Sequence, residues 1–406
     1  MPASTQTSAL LQQKLQRKLQ LRLQKQLQQR REQHLYRQRR LVLGPQGPWL
    51  ELEQGRTLNF CSNDYLGLAN HPEVVKALQR GADIYGSGSG ASHLICGHTR
   101  AHHQLELELA QFTGRSRALL FSTGYMANLG AICALTDKED VVFQDKLNHA
   151  SLIDAGRLSD AKLQRYPHRD TQALERLLLK TSSTGDKLIA TDGVFSMDGH
   201  TAPLPQLVQL AQQHQAWLMV DDAHGLGVCG THGKGSCDGY SEAQIPIFMG
   251  TLGKSLGSFG AFIAGSEELI ETLIQTSRSY TYTTAMPAAV AEATRAALRL
   301  SISDDWRREK LQSLVLRFRS GAQQLGFELT DSHTPIQALI VGDNARAMQL
   351  SEALMQQNIW ISAIRPPTVP KGSARLRITF SAAHEEQHVE QLLAALETAM
   401  SGLSKP

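Results

Sequence analysis

Short apolar runs alternate with helical patterns between about residues 60 and 290, and this alternation limits the possible folds more than any other feature. Runs such as 117–121 and 217–220 have the length of buried strands, whereas residues 204–213 show helical periodicity. Strands that alternate with helices predict a mostly parallel sheet covered by helices. We therefore expect an α/β fold in which the residue after each strand lies at one edge of the sheet, where ligands bind.

The pattern changes beyond about residue 295. Five segments there predict the order β-α-β-β-α, and they are residues 337–341, 345–357, 359–364, 375–380 and 385–400. Such a unit forms a small α+β layer. The sequence therefore predicts a large domain at residues 60–295 and a smaller domain at residues 296–406, preceded by an N-terminal segment, residues 1–59.

A carboxylate, an imidazole and an amine follow two of the apolar runs. Asp221 and His224 follow the run 217–220, and Lys254 stands in a glycine-rich turn after the run 245–249. Either Asp221 or His224 alone could equally be a turn former or a helix cap. Together, the three side chains match pyridoxal phosphate (PLP) chemistry, which needs an anion beside the pyridine nitrogen and an amine for a Schiff base.

Other residues supply the parts that a phosphorylated cofactor requires. Gly124 and Tyr125 stand where an apolar run gives way to a helical pattern, and free amides at a helix N-terminus bind phosphate. Thr251 could also reach the phosphate. His149 could stack on the cofactor ring, although alone it is an ordinary loop histidine, and Ser196 could donate a hydrogen bond near the ring.

Six motifs in one order resemble the α-oxoamine synthases, which are fold-type I PLP enzymes that condense an amino acid with an acyl thioester and release carbon dioxide. The motifs are SNDYLGL at 62–68, TGY at 123–125, HAS at 149–151, GVFSMDG at 193–199, DDAHG at 221–225 and GK at 253–254. The resemblance runs from about Arg37 to the C-terminus. It implies a homodimer with the active site at the subunit interface, and a small domain that includes the N-terminal segment.

The resemblance implies a role for each catalytic residue and cofactor ligand. Lys254 would carry PLP as a Schiff base and then act as the general base. Asp221 would pair with the ring nitrogen, and His149 would stack on the ring. His224 and Ser196 would bond the phenolic oxygen. Gly124, Tyr125 and Thr251 would bind the phosphate.

The substrate contacts are also implied by the resemblance. Arg365 would clamp the amino acid carboxylate, and a planar bidentate donor suits this task. Arg37 and Thr368 would contact the acyl substrate together with His149, although Arg39 and Arg40 are alternatives to Arg37. The chain departs from the family at Asp192, where a glutamate is expected.

Within the family, three features most resemble the biotin-pathway branch, whose substrates are L-alanine and pimeloyl-CoA or a pimeloyl carrier protein. These features are the motif 364–370, the glycine and serine stretch 86–92, and the compact length of 406 residues. The glycine-using 2-amino-3-oxobutyrate ligases and 5-aminolevulinate synthases are the alternatives. A PLP-fold protein kept only for binding would lack the lysine.

The N-terminal 40 residues differ in charge from the rest of the chain. They contain ten Lys or Arg and one acid, a net charge of +9, whereas the remaining 31 basic and 37 acidic residues carry −6. Leucines at 11, 15, 19, 23 and 27 predict an apolar row along a helix. Three interpretations remain open: an amphipathic helix packed on the enzyme, a transit-like segment, or a docking site for an acidic carrier protein.

Composition favours a cytoplasmic enzyme of small substrates, with no nucleic-acid or membrane partner. No apolar run approaches the roughly 18 residues of a membrane span. The five cysteines are odd in number and lack Cys-x-x-Cys spacing, which favours reduced thiols. His98, His102, His103 and Glu106 suggest a metal site, but without a His-Glu-x-x-His motif we expect no metal and a solvated helix start.

Overall fold

A computed structural model describes residues 3–33, 35–182, 184–366 and 368–402. Pro367, which belongs to the substrate motif 364–370, lies outside the described residues. The chain divides into two compact units, Met1–Leu43 and Gly44–Pro406. Of the described residues, no helix is long and apolar enough to span a membrane.

The first unit contains helix α1, Ala3–Glu32, which includes the five leucines that were predicted to form one apolar row. Leu11, Leu15, Leu19, Leu23 and Leu27 are all exposed. Because an α-helix turns about 100° per residue, a spacing of four rotates each leucine by about 40° from the one before it. The leucines therefore wind around α1 and do not form the single apolar row that was predicted.

The second unit contains all thirteen strands and the other twelve α-helices of the described residues. The strands are β1 Trp49–Leu52, β2 Gly55–Asn59, β3 Arg117–Phe121, β4 Val141–Asp145, β5 Lys162–Tyr166, β6 Lys187–Asp192, β7 Ala216–Asp221, β8 Ile247–Thr251, β9 Ala261–Gly265, β10 Ile336–Gly342, β11 Ile359–Trp360, β12 Ser362–Ile364 and β13 Ala374–Thr379. The helices are α2 Pro72–Tyr85, α3 Arg100–Thr113, α4 Gly124–Leu135, α5 Ala150–Leu158, α6 Thr171–Lys180, α7 Leu204–Gln213, α8 Glu267–Thr276, α9 Arg278–Thr281, α10 Ala288–Ser303, α11 Asp305–Gln324, α12 Asn344–Gln356 and α13 Glu386–Ser401.

Seven strands form the large sheet, in the order β3-β9-β8-β7-β6-β4-β5. Strands β5, β4, β6, β7 and β8 pair in parallel, while β9 pairs antiparallel with both β8 and β3. Six strands therefore run in one direction and only β9 opposes them. The predicted α/β fold with a large, mostly parallel sheet is confirmed.

The apolar runs form strands because both faces of the sheet are covered. Successive side chains of a strand point to opposite faces. In β7, Leu218 and Val220 pack into one apolar core, whereas Met219 packs into another. Helix α4 contributes Ala127, Ala131 and Ile132 to the second core. A strand buried on both faces has a continuous apolar sequence, which is the pattern that predicted these strands.

The C-terminal part forms two small sheets around a third core. One sheet has the order β10-β13-β12, and the other pairs the N-terminal strands β1 and β2 with β11. The single strand predicted at residues 359–364 is interrupted at Ile361, whose carbonyl oxygen accepts a hydrogen bond from Ser351 at 2.7 Å. The two halves consequently join different sheets. The domain boundaries at residues 59 and 295 stay predictions.

Candidate active site

The carboxyl ends of the parallel strands bring most of the predicted site residues to one edge of the large sheet. Gly124 begins the helix that follows β3, and His149 lies between β4 and the next helix. Asp192, Asp221 and Thr251 are the last residues of β6, β7 and β8. Asp192 and Asp221 are register partners in neighbouring strands. Five polar or glycine positions far apart in sequence therefore share one surface.

Asp221 is a buried carboxylate that is held on both oxygens. Its Oδ2 atom accepts a hydrogen bond from the Asn128 side-chain amide at 2.6 Å, and its Oδ1 atom accepts one from the Ala223 backbone amide at 3.0 Å. Only 4% of Asp221 is exposed. The two donated hydrogen bonds fix this carboxylate in place, and a carboxylate at this position is the partner that a protonated ring nitrogen needs.

Asn128 also connects Asp221 to His149. Its second amide hydrogen is donated to Ser151 Oγ at 2.8 Å, and Ser151 Oγ lies 2.7 Å from His149 Nδ1. The Ser151 backbone amide donates to the same Nδ1 atom at 3.3 Å, so this nitrogen is an acceptor and the ring hydrogen is on Nε2. Asn128 and Ser151 were not predicted as site residues, although Ser151 ends the motif HAS at 149–151 and Asn128 lies three residues after the motif TGY at 123–125.

The imidazole of His149 stands at the wall of a cavity and is exposed on that side. Withdrawal from bulk water lowers its pKa, nearby Asp221 opposes this effect, and Lys254 adds to it. The ring is therefore neutral at physiological pH. A neutral, oriented imidazole is suited to stacking on a planar ring.

Tyr65 and His224 form a second buried pair. The Tyr65 hydroxyl lies 2.7 Å from His224 Nδ1 and 3.2 Å from Asn63 Oδ1. Because an amide oxygen can only accept, the Tyr65 hydroxyl donates its proton to Asn63 Oδ1 and its oxygen accepts the Nδ1–H of His224, so the neutral ring carries its hydrogen on Nδ1. Burial, Lys254 and Arg377 lower the pKa of His224 well below its usual value, so this ring is also neutral. Tyr65 was missed because its role depends on a contact across 159 residues.

Lys254 lies in the turn after β8 with its amine largely withdrawn from water. This burial lowers the pKa of Lys254 to about 8, although Asp221 and Asp192 act in the opposite direction. An amine with this pKa has an appreciable unprotonated fraction at neutral pH, unlike an ordinary lysine. Lys254 can therefore act as a nucleophile and as a base.

Two more carboxylates surround these groups. Asp192 Oδ2 accepts the backbone N–H of His149 at 2.8 Å, and burial together with Asp221 raises the pKa of Asp192. Asp222 accepts the amide of Ser236 at 2.8 Å and its hydroxyl at 2.5 Å. Burial raises the pKa of Asp222 to about 7. Asp192, which is shorter than the glutamate expected at this position, thus holds the loop that carries His149.

The start of α4 provides the predicted anion site. Thr123 caps this helix by accepting the Met126 amide at 3.2 Å. The amides of Gly124 and Tyr125 lie in the first turn, where helix geometry leaves them without intrahelical acceptors. A Cβ atom at Gly124 would lie 2.7 Å from the terminal methyl group of Met249, so a larger residue there would have to displace this flexible side chain.

Tyr125 and Thr251 make other contacts with their side chains. The Tyr125 hydroxyl donates to Asp154 at 2.6 Å. The part of Tyr125 that belongs to the anion site at the start of α4 is therefore its backbone amide. The Thr251 hydroxyl donates to the Gly260 carbonyl oxygen at 3.2 Å. The predicted role of Thr251 toward a phosphate stays a prediction.

A cavity of about 590 Å³ lies beside His149 and also contains Ser196 and Thr368 in its lining. Thr368 is exposed, and its backbone amide donates to the Arg365 carbonyl oxygen at 3.1 Å. Arg365 itself is half-buried. Arg37 is exposed and belongs to the separate unit Met1–Leu43, so its predicted role stays a prediction.

The structure adds Arg377, a buried arginine that was not predicted as a site residue. Its Nε atom donates to the Ser196 carbonyl oxygen at 2.6 Å, and its Nη2 atom donates to Asn63 Oδ1 at 3.1 Å. Its positive charge also contributes to lowering the pKa of Lys254. The signal in the sequence was weak, because the strand 374–379 contains two arginines, Arg375 and Arg377. No neighbouring residue indicates which of them faces the site.

The histidine cluster near α3 differs from its prediction. His102 is fully buried, so the predicted solvated helix start is wrong for this residue. One ring nitrogen of His102 caps Thr99, and the other lies 2.7 Å from the Met286 carbonyl oxygen. His98 precedes the helix, and its Nδ1 atom lies 3.0 Å from that of His93. The absence of a metal stays a prediction.

Comparison with known proteins identifies the family. The profile of the aminotransferase class I and II family matches residues 56–396. An 8-amino-7-oxononanoate synthase from Thioalkalivibrio sulfidiphilus is 60% identical over 374 residues, which are 92% of this chain and 95% of that protein. This chain belongs to the 8-amino-7-oxononanoate synthase family.

Solved structures agree with this family. The 8-amino-7-oxononanoate synthase from Francisella tularensis superposes with a TM-score of 0.74 and 32% identity, covering 85% of this chain and 98% of that one. A serine palmitoyltransferase variant from S. paucimobilis, with bound PLP and myriocin, gives a TM-score of 0.88 and 28% identity, covering 93% and 96% of the two chains. The predicted family and its fold-type I architecture are confirmed.

The residues of this 8-amino-7-oxononanoate synthase family member fit PLP. A held carboxylate, a neutral imidazole with a fixed tautomer, an amine with a lowered pKa and a free helix N-terminus occupy the same sheet edge. Each supplies what one part of the cofactor requires: the ring nitrogen, the ring face, the aldehyde carbon and the phosphate.

Proposed function

We propose that the chain catalyses the decarboxylative condensation of L-alanine with a pimeloyl thioester. The products are 8-amino-7-oxononanoate, carbon dioxide and the free thiol of the acyl donor, and the reaction is a step of biotin biosynthesis. The observation that carries the proposal is the 60% identity, over 92% of the chain, to an enzyme named for this product. The enzyme is expected to act as a PLP-dependent acyltransferase.

PLP, when bound, supplies an electron sink for the carbanion formed at Cα of alanine. Asp221 would pair with the protonated pyridine nitrogen, because two hydrogen bonds fix its carboxylate in place. His224 and Ser196 would contact the phenolic oxygen, with the Ser196 hydroxyl as a donor. The amides of Gly124 and Tyr125 would bind the phosphate.

Lys254 is the proposed covalent anchor and proton carrier. Its pKa of about 8 supports removal of the Cα proton of alanine by the neutral amine at physiological pH. The resulting ammonium group can return a proton to the same carbon after carbon dioxide has left. Asp192 and Asp221 stabilise that ammonium group, as their effect on the pKa indicates.

We assign the clamp for the alanine carboxylate to Arg377 and keep Arg365 as the competing candidate. The positive charge of Arg377 helps to lower the pKa of Lys254. Arg377 also donates hydrogen bonds to the backbone of Ser196 and the side chain of Asn63. Asn63 can supply an amide donor to the same carboxylate. A planar guanidinium with an adjacent amide is a common arrangement for a carboxylate.

The acyl donor is proposed to enter through the cavity beside His149, with Thr368 and Arg37 as further contacts. Its thiol is that of coenzyme A or of a carrier protein, and the acidic surface of a carrier would complement the +9 charge of residues 1–40. We also propose a homodimer and a cytoplasmic location. The reduced-thiol pattern of the five cysteines supports the location.

The test uses the purified, PLP-loaded protein with pimeloyl-CoA and either L-alanine or glycine. Free thiol release and product mass are measured for each amino acid. We expect alanine-dependent release and the mass of 8-amino-7-oxononanoate. Release with glycine alone would move the chain to a glycine-using branch, and no release with either amino acid, from CoA or carrier donors, would refute the proposal.

A further inference from the structure

Three cations share one wall of the 590 Å³ cavity. Lys146 follows β4 and is exposed, Arg157 lies in the last turn of α5, and Arg165 lies in β5. Their elements are adjacent, because β4 and β5 pair in parallel and α5 connects them. Residues from a strand, a helix and a loop therefore bring positive charge to one place.

Little negative charge balances this wall. Among the described residues, Arg157 is the one member of the three with a carboxylate within 4 Å, and its Nη1 atom lies 3.5 Å from Asp154. Asp154 also accepts the Tyr125 hydroxyl, so its charge is shared. Asp198, the other acid of the cavity lining, pairs with Arg375. The wall keeps a net positive charge.

The cluster is also partly organised. A guanidinium nitrogen of Arg165 donates to the Lys146 carbonyl oxygen, which fixes the side chain against the loop before His149. Burial and the nearby charge of Arg157 lower the pKa of Arg165, although Asp145 acts in the opposite direction. An anion between the two guanidinium groups would relieve the repulsion between them.

The position of the wall relates it to the reaction. His149 and Ser196 line the same cavity, so a ligand that fills it extends from the proposed reacting centre to the three cations. We propose that Lys146, Arg157 and Arg165 form a subsite for the anionic part of the acyl donor. This inference rests on the proposed function, since an acyl thioester is the ligand.

The recognised chemistry is an oxyanion, either a carboxylate or a phosphate, because guanidinium groups bind both as planar forks. A pimeloyl donor offers two sources. One is the carboxylate at the far end of the acyl chain, and the other is a phosphate of coenzyme A or of the carrier's phosphopantetheine arm. The three cations contact the far carboxylate if the acyl chain lies along the cavity. They contact a phosphate if the thiol arm of the donor lies along the cavity.

The test compares Arg157→Gln and Arg165→Gln with Lys162→Gln in the PLP-loaded enzyme. Lys162 is exposed on β5 and does not line the cavity, so its substitution removes the same charge from the same strand. Arg157 is largely exposed, so its substitution is not expected to disturb folding. The dissociation constants of free coenzyme A and of free pimelate, together with the KM for pimeloyl-CoA, are measured for every variant.

We expect the KM for pimeloyl-CoA to rise roughly tenfold in each arginine variant, with kcat and the KM for L-alanine within about twofold of wild type. Weaker binding of pimelate alone would identify the carboxylate source, and weaker binding of coenzyme A alone would identify the phosphate source. Equal values for Arg157→Gln, Lys162→Gln and wild type for all ligands would overturn the subsite. Absence of wild-type turnover would count against the proposed function, whereas the two dissociation constants would still decide the subsite.

Discussion

The side-chain amide of Asn128 lies 2.6 Å from Asp221 and donates one hydrogen bond to its buried carboxylate. The same amide nitrogen donates to Ser151, which orients His149. One side chain therefore positions both the anion proposed for the ring nitrogen and the imidazole proposed for the ring face. Asn128 acts through these two residues and contacts neither proposed substrate.

Asn128→Ala is expected to weaken both PLP affinity and turnover by about 10- to 100-fold, because a buried charge that loses a hydrogen bond costs about 1–3 kcal/mol. The absorbance of the bound cofactor should also change its dependence on pH, since the carboxylate proposed to pair with the ring nitrogen loses a hydrogen bond that fixes its position. Cys133→Ser, in the same helix and exposed, is the control. A variant with a wild-type absorbance titration and normal PLP affinity would contradict the positioning role.

Uptake of PLP by the apoenzyme should depend on pH through Lys254. The pKa of about 8 means that the reactive neutral amine decreases as pH falls below 8, and the uptake rate should drop about tenfold for each unit below that value. Above pH 8 the rate should level off. Stopped-flow absorbance of the apoenzyme mixed with PLP measures this profile, and Lys254→Ala should abolish both covalent uptake and turnover. A midpoint near 10.5 would show that the site does not alter this amine.

Arg377 and Arg365 can be separated by their effects on alanine. Arg377→Gln is expected to raise the KM for L-alanine by about 100-fold, since a charged bidentate partner is lost, while Arg365→Gln has a smaller effect. The two KM values are measured at saturating pimeloyl-CoA. The reverse order would return the carboxylate clamp to Arg365.

Tyr65→Phe tests the tautomer of His224. Loss of the hydroxyl removes the acceptor of the Nδ1 hydrogen, so the ring hydrogen of His224 is no longer confined to Nδ1. We expect kcat to fall about tenfold and the cofactor absorbance to shift, with stability reduced by about 1 kcal/mol. Tyr282→Phe, at an exposed tyrosine, provides the comparison. Unchanged spectra in Tyr65→Phe would show that the hydroxyl does not direct His224.

Deletion of residues 1–30 tests the proposed carrier interaction. This segment holds six of the ten basic residues of the first 40. The KM for a carrier-bound pimeloyl donor should rise severalfold and lose its dependence on salt, because screened charge attraction drives such encounters. The KM for pimeloyl-CoA should stay the same. An unchanged KM for the carrier substrate would remove docking as the function of this helix.

The site residues predicted from sequence are those whose position follows from one local pattern. Asp221 ends an apolar run, and Gly124 stands at a strand-to-helix turn, so periodicity was enough to place both at the sheet edge. Asn128, Tyr65 and Arg377 depend on contacts between segments that lie far apart in the chain. Local patterns carry no information about such contacts.

The two elements that were predicted incorrectly have a related cause. Residues 359–364 form a mostly apolar run of the length of one strand. The run breaks at Ile361 because its two halves pair in two different sheets. The leucines of α1 recur every fourth residue, and only the helical pitch reveals that they wind around the axis. The strand pairing of residues 359–364 is known only from the folded chain. The winding of the α1 leucines follows from the pitch of the helix, which a count of every fourth residue does not take into account.

The break at Ile361 also links the N-terminal hairpin to substrate choice. Strand β11 is paired with β2, and β12, which leads directly into Arg365 and Thr368, is paired with β13. Four residues separate β11 from Arg365 in this loop. We therefore expect substitutions in residues 49–59 to displace the loop relative to the proposed donor cavity, although none of these residues lines that cavity.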